Sequence, residues 1–320
     1  MDKLLEINNL CVKIKDRLHG DFFAVRDLSL NIDKGSALGI VGESGSGKTV
    51  TALAVMGLAS KDSRISGEGI NFCGRNLLEL NQKDYAKIRG RDMSMIFQDP
   101  VTGLNPLMKI GRQVEESLLL HTDLTPEQIK SETINMMSYT GLKDAAKLYN
   151  AYPHQLSGGM RQRVMIAAAI IAKPKLIIAD EPTTALDSTT QTQILNMFKK
   201  FKEENQTSLM FISHNFGVIN YISDYIAVMY QGYVMEYGDK EHITENPLHP
   251  YTKALIKCIP TEGMKGRALF SIKNDFSSKY ADNHCPFFSR CDYADKKCTE
   301  SFEAKHIDGR YIRCARIGEI

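Results

Sequence analysis

The sequence predicts an α/β fold: helices surround a mostly parallel sheet, with an inserted helical subdomain and a small cysteine-rich C-terminal extension. Three observations support this prediction. Short apolar runs alternate with helical patterns along most of the chain, which is typical of a parallel sheet covered by helices on both faces. A helix-rich stretch interrupts this alternation at about residues 100–172, and four of the seven cysteines lie in the C-terminal part, from Cys285 onward.

Length and composition favour a globular chain of about two domains, with 320 residues of which 43% are hydrophobic. No uncharged apolar run reaches the roughly 18 residues that a membrane-spanning helix needs. The N-terminus alternates apolar and charged residues and lacks a signal-peptide pattern, so we expect a cytoplasmic location. The formal charge of +2 and the absence of Trp argue against nucleic acid as the main partner.

Four apolar runs are predicted to form buried strands, and each ends at polar or glycine-rich residues: Ala37–Val41, Met93–Phe97, Leu176–Ala179 and Leu209–Ile212. The helical subdomain is expected between the second and the third run. Periodicity weakens from about residue 262. We therefore assign residues 1–262 to the main domain and residues 263–320 to the extension, joined by an extended linker.

A glycine-rich loop follows the first predicted strand and precedes a helical pattern, and it matches G-x-x-x-x-G-K-[ST] with Gly42, Glu43, Ser44, Gly45, Ser46, Gly47, Lys48 and Thr49. The N–H groups of such a loop and of the helix start bind polyphosphate. We expect Lys48 to reach the β and γ phosphates and Thr49 to bind Mg²⁺. A surface loop that needs glycine for its turns is the alternative, but the flanking pattern favours a nucleoside triphosphate site.

Polar side chains follow the third and fourth predicted strands. Asp180 and Glu181 come after Leu176–Ala179, and His214 comes shortly after Leu209–Ile212. Ligands of doubly wound sheets bind at the carboxyl ends of the strands. We expect Asp180 to hold Mg²⁺, Glu181 to polarise an attacking water and His214 to bond the γ-phosphate. Taken singly, a solvated turn or a structural histidine explains these residues equally well or better.

The stretch "LSGGMRQR" places a serine and two glycines before a helix. A helix N-terminus capped by serine binds anions, although Ser157 as a simple N-cap is the plainer interpretation.

Together these residues resemble the ATP-binding-cassette (ABC) ATPases over residues 1 to about 262. The motifs stand in family order: "GESGSGKT" (Walker A), Gln98 in "FQDP" (Q-loop), "LSGGM" (signature), "LIIADEP" (Walker B), "TTALD" (D-loop) and His214 in "SHN". The resemblance implies that two cassettes pair head to tail, so that the signature residues Leu156, Ser157, Gly158 and Gly159 complete the ATP site of a partner. It also implies that Glu181 is the general base, that Gln98 binds Mg²⁺ or the water, and that Asp187 bridges the two sites.

One position departs from the family. Members often carry an aromatic residue near the first strand that stacks on adenine, but Ile14 occupies the most natural position here. Phe22 or Phe23 is the expected substitute.

The stretches "FQDPVTGLNPLMKIGRQVEE" and "NPLHPYTKALIKCIP" resemble the ATPase subunits of oligopeptide, dipeptide and nickel importers. In that branch the C-terminal extension sometimes holds a [4Fe-4S] cluster, which here implies the ligands Cys285, Cys291, Cys298 and Cys314. Four thiolates also suit Zn²⁺. A metal-free extension, or replacement of one ligand by His284 or His306, is the alternative. The remaining cysteines, Cys11, Cys73 and Cys258, are expected to be small core residues.

The resemblance therefore implies a peripheral subunit on the cytoplasmic face of the membrane that hydrolyses ATP to energise import of peptides, nickel or metal chelates. Its expected partners are a second ATPase subunit, identical or different, two membrane-spanning permease subunits and an extracytoplasmic solute-binding protein. A soluble ABC ATPase acting on nucleic acid or ribosomes is the alternative function. A degenerate cassette that binds ATP without turnover is disfavoured by Lys48, Asp180, Glu181 and His214.

Overall fold

The computed structural model describes residues 2–16, 20–100, 102–184, 186–259, 270–273 and 284–319. Its strands are β1 (Lys3–Ile14), β2 (Phe22–Asp33), β3 (Ala37–Val41), β4 (Ser63–Ser66), β5 (Gly69–Phe72), β6 (Arg75–Asn76), β7 (Met93–Ile96), β8 (Leu176–Asp180), β9 (Ser208–Ser213), β10 (Tyr225–Tyr230), β11 (Tyr233–Asp239), β12 (Lys305–Ile307) and β13 (Arg310–Ile312). Its α-helices are α1 (Lys48–Val55), α2 (Gln82–Ile88), α3 (Ile110–His121), α4 (Pro126–Tyr139), α5 (Ala145–Leu148), α6 (Gly158–Ile170), α7 (Ser188–Asn205), α8 (Phe216–Ile222), α9 (Lys240–Glu245), α10 (Pro250–Lys257) and α11 (Lys297–Glu300).

The larger sheet has the strand order β12-β13-β11-β10-β3-β9-β8-β7. The five strands from β10 to β7 run parallel, whereas β11, β13 and β12 pair antiparallel at one side. The four predicted strands are β3, β7, β8 and β9, so a parallel core is confirmed, but the antiparallel strands at one side make the larger sheet mixed. Because these strands are parallel, the residues that follow them meet at one edge of the sheet.

Each central strand is buried on both faces. Along β3, Ala37 and Val41 belong to one hydrophobic core, whereas Leu38 and Ile40 belong to a second. The second core also contains α1 and a separate antiparallel sheet with the order β2-β1-β5-β6, to which β4 adds by pairing with β1. Two-sided burial explains why these strands read as continuous apolar runs.

The stretch between β7 and β8 carries α3, α4, α5 and α6. Its buried side chains, including Val114 and Ile166, share a hydrophobic core with Ala179 of β8 and Phe211 of β9. α4 begins with a capping box, because Thr125 accepts from the N–H of Gln128 while the Gln128 side chain accepts from the N–H of Thr125. The helix-rich region thus lies where the sequence indicated, and its status as a separate subdomain remains a prediction.

The C-terminal segment joins the larger sheet through β13, which pairs with β11 at Glu236↔Ile312 and Tyr237↔Tyr311. The domain boundary at 262/263 and most of the expected linker lie outside the described residues. No helix in the described part of the chain is both long enough and apolar enough to span a bilayer.

The prediction that the three scattered cysteines are core residues is wrong for Cys73, which is exposed. The strand β5 ends at Phe72, and Cys73 occupies the reversal before β6 with φ of 50°. Its side chain therefore leaves the apolar face that the strand pattern suggested. Cys11 and Cys258 are half-buried.

Candidate active site

The glycine-rich loop connects β3 to α1, and its glycines are required by close backbone contacts. A Cβ atom on Gly42 would lie 2.1 Å from the carbonyl oxygen of Met229, and one on Gly47 would lie 2.4 Å from that of Ala24. Gly45 and Gly47 also have φ values of 78° and 100°, a region that favours glycine. The loop therefore packs tightly against β2 and β10 while α1 directs its first N–H groups outward.

Lys48 is buried at the start of α1 with its ammonium group inside the loop. Nζ donates hydrogen bonds to the carbonyl oxygens of Gly42 (2.8 Å) and Glu43 (2.9 Å) and lies 3.2 Å from the Ser46 hydroxyl. Burial lowers the pKa of Lys48, and the carboxylates of Glu181, Asp180 and Glu43 oppose that shift. The cation is thus held where a phosphate chain on the loop would meet it.

Asp180 ends β8 and is 2% exposed. Its Oδ1 atom has no hydrogen-bond partner among the described residues. Burial raises the pKa of Asp180, and the hydrogen bond with Thr49 and the charge of Lys48 act in the opposite direction. A buried carboxylate oxygen without a partner, next to a threonine hydroxyl, fits a bound Mg²⁺, which prefers oxygen ligands.

Glu181 is the convergence point of the site. Its Oε2 atom accepts hydrogen bonds from Gln98 Nε2 at 3.3 Å and Thr184 Oγ1 at 2.9 Å and lies 3.1 Å from His214 Nδ1. These residues come from the ends of β7, β8 and β9, which meet at one edge because the strands are parallel. The three residues predicted to be catalytic, Gln98, Glu181 and His214, are therefore brought together.

Two features of this cluster were not foreseen from sequence. Thr184 contacts the carboxylate and lies only three residues further along the chain, so the local "DEPTT" spacing was the available signal. Glu181 also has φ of 48°, an uncommon conformation for a residue with a side chain. Backbone strain of this kind is often concentrated at functional sites.

The predicted second anion site stands at the start of α6. Leu156 is buried, and Ser157 is the N-cap, whose hydroxyl accepts from the N–H of Met160 at 3.3 Å. A Cβ atom on Gly158 would meet nothing within 4 Å, and one on Gly159 only Leu186 at 3.9 Å. Crowding within the described part of the chain therefore does not account for these glycines.

Asp187 caps α7, where its carboxylate accepts from the N–H of Thr190 at 2.9 Å. Hydrogen bonds to Asp187, first of all the one from the N–H of Thr190, hold the pKa of its carboxyl below the ordinary value. This N-cap role is intramolecular, and the expected bridge between two sites remains a prediction.

The aromatic pair lies at the start of β2, where Phe22 pairs with Ile14. The guanidinium of Arg26 lies 5.2 Å from the centre of the Phe23 ring. The neighbouring Ala24 contacts the phosphate loop at Gly47. The pair is therefore close to the loop in the chain, and its stacking on adenine remains a prediction.

A groove lies next to the Q-loop residue Gln98, since the preceding residue, Phe97, lines it. We call it the Q-loop groove; its lining mixes apolar side chains such as Met108 and Met165 with polar ones such as Gln113 and Glu116. Phe97 is 42% exposed, and the neighbouring Leu107 is 88% exposed. Exposed apolar side chains grouped in this way are typical of an interaction surface.

The four C-terminal cysteines line one pocket together with His249. Cys285, Cys298 and Cys314 are buried, and burial raises the pKa values of Cys285 and Cys314. Within the described ranges, no group of three or more His, Cys, Asp or Glu residues is placed so that it could hold a metal ion. His284 and His306 are not among the residues that line the pocket.

Comparison with known proteins gives two family matches. The model described as "ABC transporter" matches residues 25–184, and the model described as "Oligopeptide/dipeptide transporter, C-terminal region" matches residues 235–298. The oligopeptide transport ATP-binding protein OppD of Haemophilus influenzae is 44% identical over 93% of this chain and 92% of its own length. The dipeptide transport ATP-binding protein DppD of Lactococcus lactis is 46% identical over 85% of this chain and 78% of its own.

A solved structure shares the fold. The dimeric ATP-binding cassette MJ0796, in a post-hydrolysis state bound to ADP and Pi, has a TM-score of 0.67 and 26% sequence identity. The match covers 74% of this chain and 98% of that one.

Proposed function

The chain belongs to the ABC transporter family as an ATP-hydrolysing cassette, and from this premise we propose that it energises import of oligopeptides or dipeptides through separate membrane subunits. The observation that carries the proposal is the placement of Glu181 among Gln98, Thr184 and His214, next to a loop built for phosphate. Both named relatives are peptide-transport ATP-binding proteins, which supports the cargo class. Nickel or metal-chelate cargo finds no support in these relatives.

In the proposed reaction, the phosphate loop and Lys48 bind the triphosphate of ATP through backbone N–H groups and one ammonium. Thr49, Asp180 and Gln98 would hold Mg²⁺, which neutralises charge on the phosphate oxygens when it is bound. The unpartnered Oδ1 of Asp180 supports this assignment.

Glu181 acts as the general base. The attacking water forms a bond to the γ-phosphorus and gives its proton to the Glu181 carboxylate, while the bond to the leaving oxygen of ADP breaks. His214 and Gln98 contact the same carboxylate oxygen and orient it toward the water. His214 is 56% exposed at its side chain, so it remains accessible to a γ-phosphate.

A second cassette completes the site. The helix α6 begins with Gly158 and Gly159 after its N-cap Ser157, and no neighbouring side chain that the structure describes crowds the two glycines. Their N–H groups are therefore open to the phosphate of a partner's ATP. The dimeric state of the solved relative supports pairing. Either an identical or a different cassette satisfies this requirement.

The membrane partners are two permease subunits, supplied with cargo by an extracytoplasmic solute-binding protein. We place their contact in the Q-loop groove, because its exposed lining residue Phe97 directly precedes Gln98 and the exposed Leu107 lies next to its lining residue Met108 in the chain. Movement of Gln98 on ATP binding would then reach the membrane subunits directly. The protein would be held in this way at the cytoplasmic face of the membrane. The alternative of a soluble ATPase acting on nucleic acid is not favoured by the named relatives.

The four C-terminal cysteines are proposed to bind a [4Fe-4S] cluster, with Zn²⁺ as the alternative. Their common pocket and the burial of three of the thiols support a shared ligand, but the thiols would have to move closer together to bind it, because no three of them in the described residues are placed to hold a metal ion. The four thiolates would supply the four protein ligands that such a cluster needs. Iron and zinc analysis of anaerobically purified protein, together with visible absorbance, tests this assignment, and Cys291→Ser provides the matched variant.

The transport function is tested with the full chain, its membrane subunits and its partner cassette in lipid vesicles. We expect ATP hydrolysis to rise when binding protein loaded with a dipeptide or oligopeptide is added. Lys48→Ala should abolish this hydrolysis, whereas Lys296→Ala, at an exposed site of the extension, should not. Hydrolysis that responds to nucleic acid and not to the loaded binding protein would contradict the proposal.

A further inference from the structure

The C-terminal extension contacts the phosphate loop through one ion pair. Arg290 donates from its two terminal nitrogens to the two carboxylate oxygens of Glu43, at 2.7 and 2.8 Å. The two residues are separated by 247 positions in the chain. We propose that Arg290 is a positioning residue for ATP binding: it fixes the phosphate loop through Glu43 and so makes the cysteine-bearing extension part of the nucleotide site. This inference rests on the proposed function.

Arg290 is itself firmly placed. Its side chain is 2% exposed, Nε donates to the carbonyl oxygen of Lys273 at 2.6 Å, and one terminal nitrogen also donates to the hydroxyl of Tyr230 at 3.1 Å. The guanidinium lies 5.6 Å from the centre of the Tyr230 ring and 5.8 Å from that of Phe287. Because a planar guanidinium with several fixed donors loses little freedom on pairing, this arrangement transmits position well.

Glu43 is the point where that position reaches the loop. Its carboxylate is held by Arg290, its N–H donates to the hydroxyl of Tyr251 at 3.1 Å, and its carbonyl oxygen accepts from Lys48 at 2.9 Å. The carbonyl oxygen also accepts from the N–H of Ser46 at 3.2 Å. The side chain and backbone of one loop residue are therefore held from three directions, and one of them involves the phosphate-binding lysine.

The start of α10, which carries Tyr251, is fixed separately from Arg290. Buried Glu236 accepts from the N–H groups of Leu248 and His249, and the ring of His249 accepts from the N–H of Tyr251. Tyr251 packs against Phe287 of the extension, with ring centres 5.1 Å apart. Loss of Arg290 should therefore release the carboxylate of Glu43 while leaving the Tyr251 contact in place.

The contact with Arg290 affects ATP binding by ordering the phosphate loop before ATP arrives. A loop whose backbone is already ordered loses less conformational entropy when it wraps a polyphosphate, so it binds more tightly. Arg290 lies between Cys285 and Cys291, so order in the cysteine segment determines where the guanidinium lies. Disruption of that segment should weaken ATP binding without touching any residue that contacts ATP.

The test compares Arg290→Gln, Arg290→Lys and the control Glu319→Gln in the full chain. The control removes the carboxylate of Glu319, which pairs with Lys297 and with Arg316 within the same extension but contacts neither Arg290 nor Glu43. Affinity for ATP is measured with a fluorescent ATP analogue, and order in the loop by amide hydrogen exchange over residues 42–48. Steady-state hydrolysis at a temperature far below unfolding separates KM from kcat.

We expect Arg290→Gln to raise both the Kd for ATP and the KM by about tenfold, since hydrogen bonds to a charged group are lost. Exchange in the loop should accelerate, and kcat should change much less. Arg290→Lys should recover part of the affinity, because it restores one charge but not the two-point contact. Glu319→Gln should match the wild type in every measurement.

An unchanged Kd and unchanged exchange in folded Arg290→Gln would overturn the inference, even if thermal stability falls, because a merely structural contact predicts that result. If Arg290→Gln does not fold, Glu43→Ala tests the same pair from the loop side, and wild-type affinity in that variant overturns the inference equally. The inference and the proposed function fail separately: wild-type protein that binds no ATP would refute both, whereas an ATPase insensitive to Arg290 would refute the inference alone.

Discussion

Nδ1 of His214 lies 3.1 Å from Oε2 of Glu181, although the two residues follow different strands of the larger sheet. The contact exists because β8 and β9 run parallel and in register, with Asp180 opposite Ile212. The same carboxylate oxygen accepts from Gln98 and Thr184. Three polar side chains are thus collected around the proposed general base.

Glu181→Gln should keep ATP binding and reduce phosphate release by a factor of about 10² to 10⁴, the usual contribution of a general base. The amide retains the shape and hydrogen bonds of the side chain but cannot take the proton. We further expect the ATP-loaded dimer to persist, as measured by size-exclusion chromatography with light scattering. Glu132→Gln, on the exposed surface of α4, is the control. Unchanged phosphate release would remove Glu181 from its assigned role.

Thr184→Val should lower kcat by about tenfold, because a hydrogen bond to a charged group is lost. The Kd for ATP should remain the same, since Thr184 contacts the base and not the phosphate loop. Thr184→Ser retains the hydroxyl and should restore most of the activity. A Ser variant as slow as the Val variant would mean that the methyl group, and not the hydrogen bond, matters.

Asp180→Asn should abolish Mg²⁺-dependent hydrolysis yet stabilise the metal-free protein at neutral pH by about 2 °C in Tm. The physical reason is that burial raises the pKa of Asp180, so the ionised carboxylate is disfavoured in the folded state. In an acid whose pKa is raised on folding, stability falls as pH rises from the unfolded pKa through the folded one.

The stabilisation by Asp180→Asn should therefore be largest above the folded pKa and should vanish as pH falls toward about 4, the ordinary value for aspartate. Thermal unfolding in EDTA across this range measures it. A variant that is less stable than wild type at pH 7 in EDTA would contradict the assignment of Asp180 as a buried, incompletely satisfied carboxylate.

Gly158→Leu should leave the isolated chain as stable as wild type or slightly more stable, because the position lies in a helix and a Cβ atom there meets nothing within 4 Å. ATP binding by the separate cassette should also be unchanged. ATP hydrolysis by the paired cassettes should fall by at least about tenfold. The reason is that the leucine side chain would keep the partner's phosphate away from the backbone N–H groups at the start of α6. Full turnover with Leu at this position would exclude the signature from the partner's site.

The hydrophobic pattern of the sequence was sufficient to predict the parts of the site that follow buried strands. The apolar runs predicted β3, β7, β8 and β9, and a parallel sheet necessarily brings Gln98, Glu181 and His214 to one edge. The prediction from this pattern was wrong for Cys73. The chain reverses there, one residue past the end of a strand, so the alternation of apolar and polar residues no longer indicates which side chains are buried. It also did not separate the antiparallel sheet of β1, β2, β4, β5 and β6 from the larger one, since pairing between strands depends on contacts distant in sequence.

The sequence by itself determined the family and the order of the motifs, and it predicted the chemistry of each one, because these depend on residue types at short, fixed spacing. Only the tertiary structure decided which residues distant in the chain form an ion pair or line a common cavity. The carboxylate of Glu43 meets Arg290, and four C-terminal cysteines line a single pocket beside His249. Such contacts form because β13 of the extension pairs with β11 of the larger sheet. No local sequence pattern predicts this pairing, since the two strands are far apart in the chain.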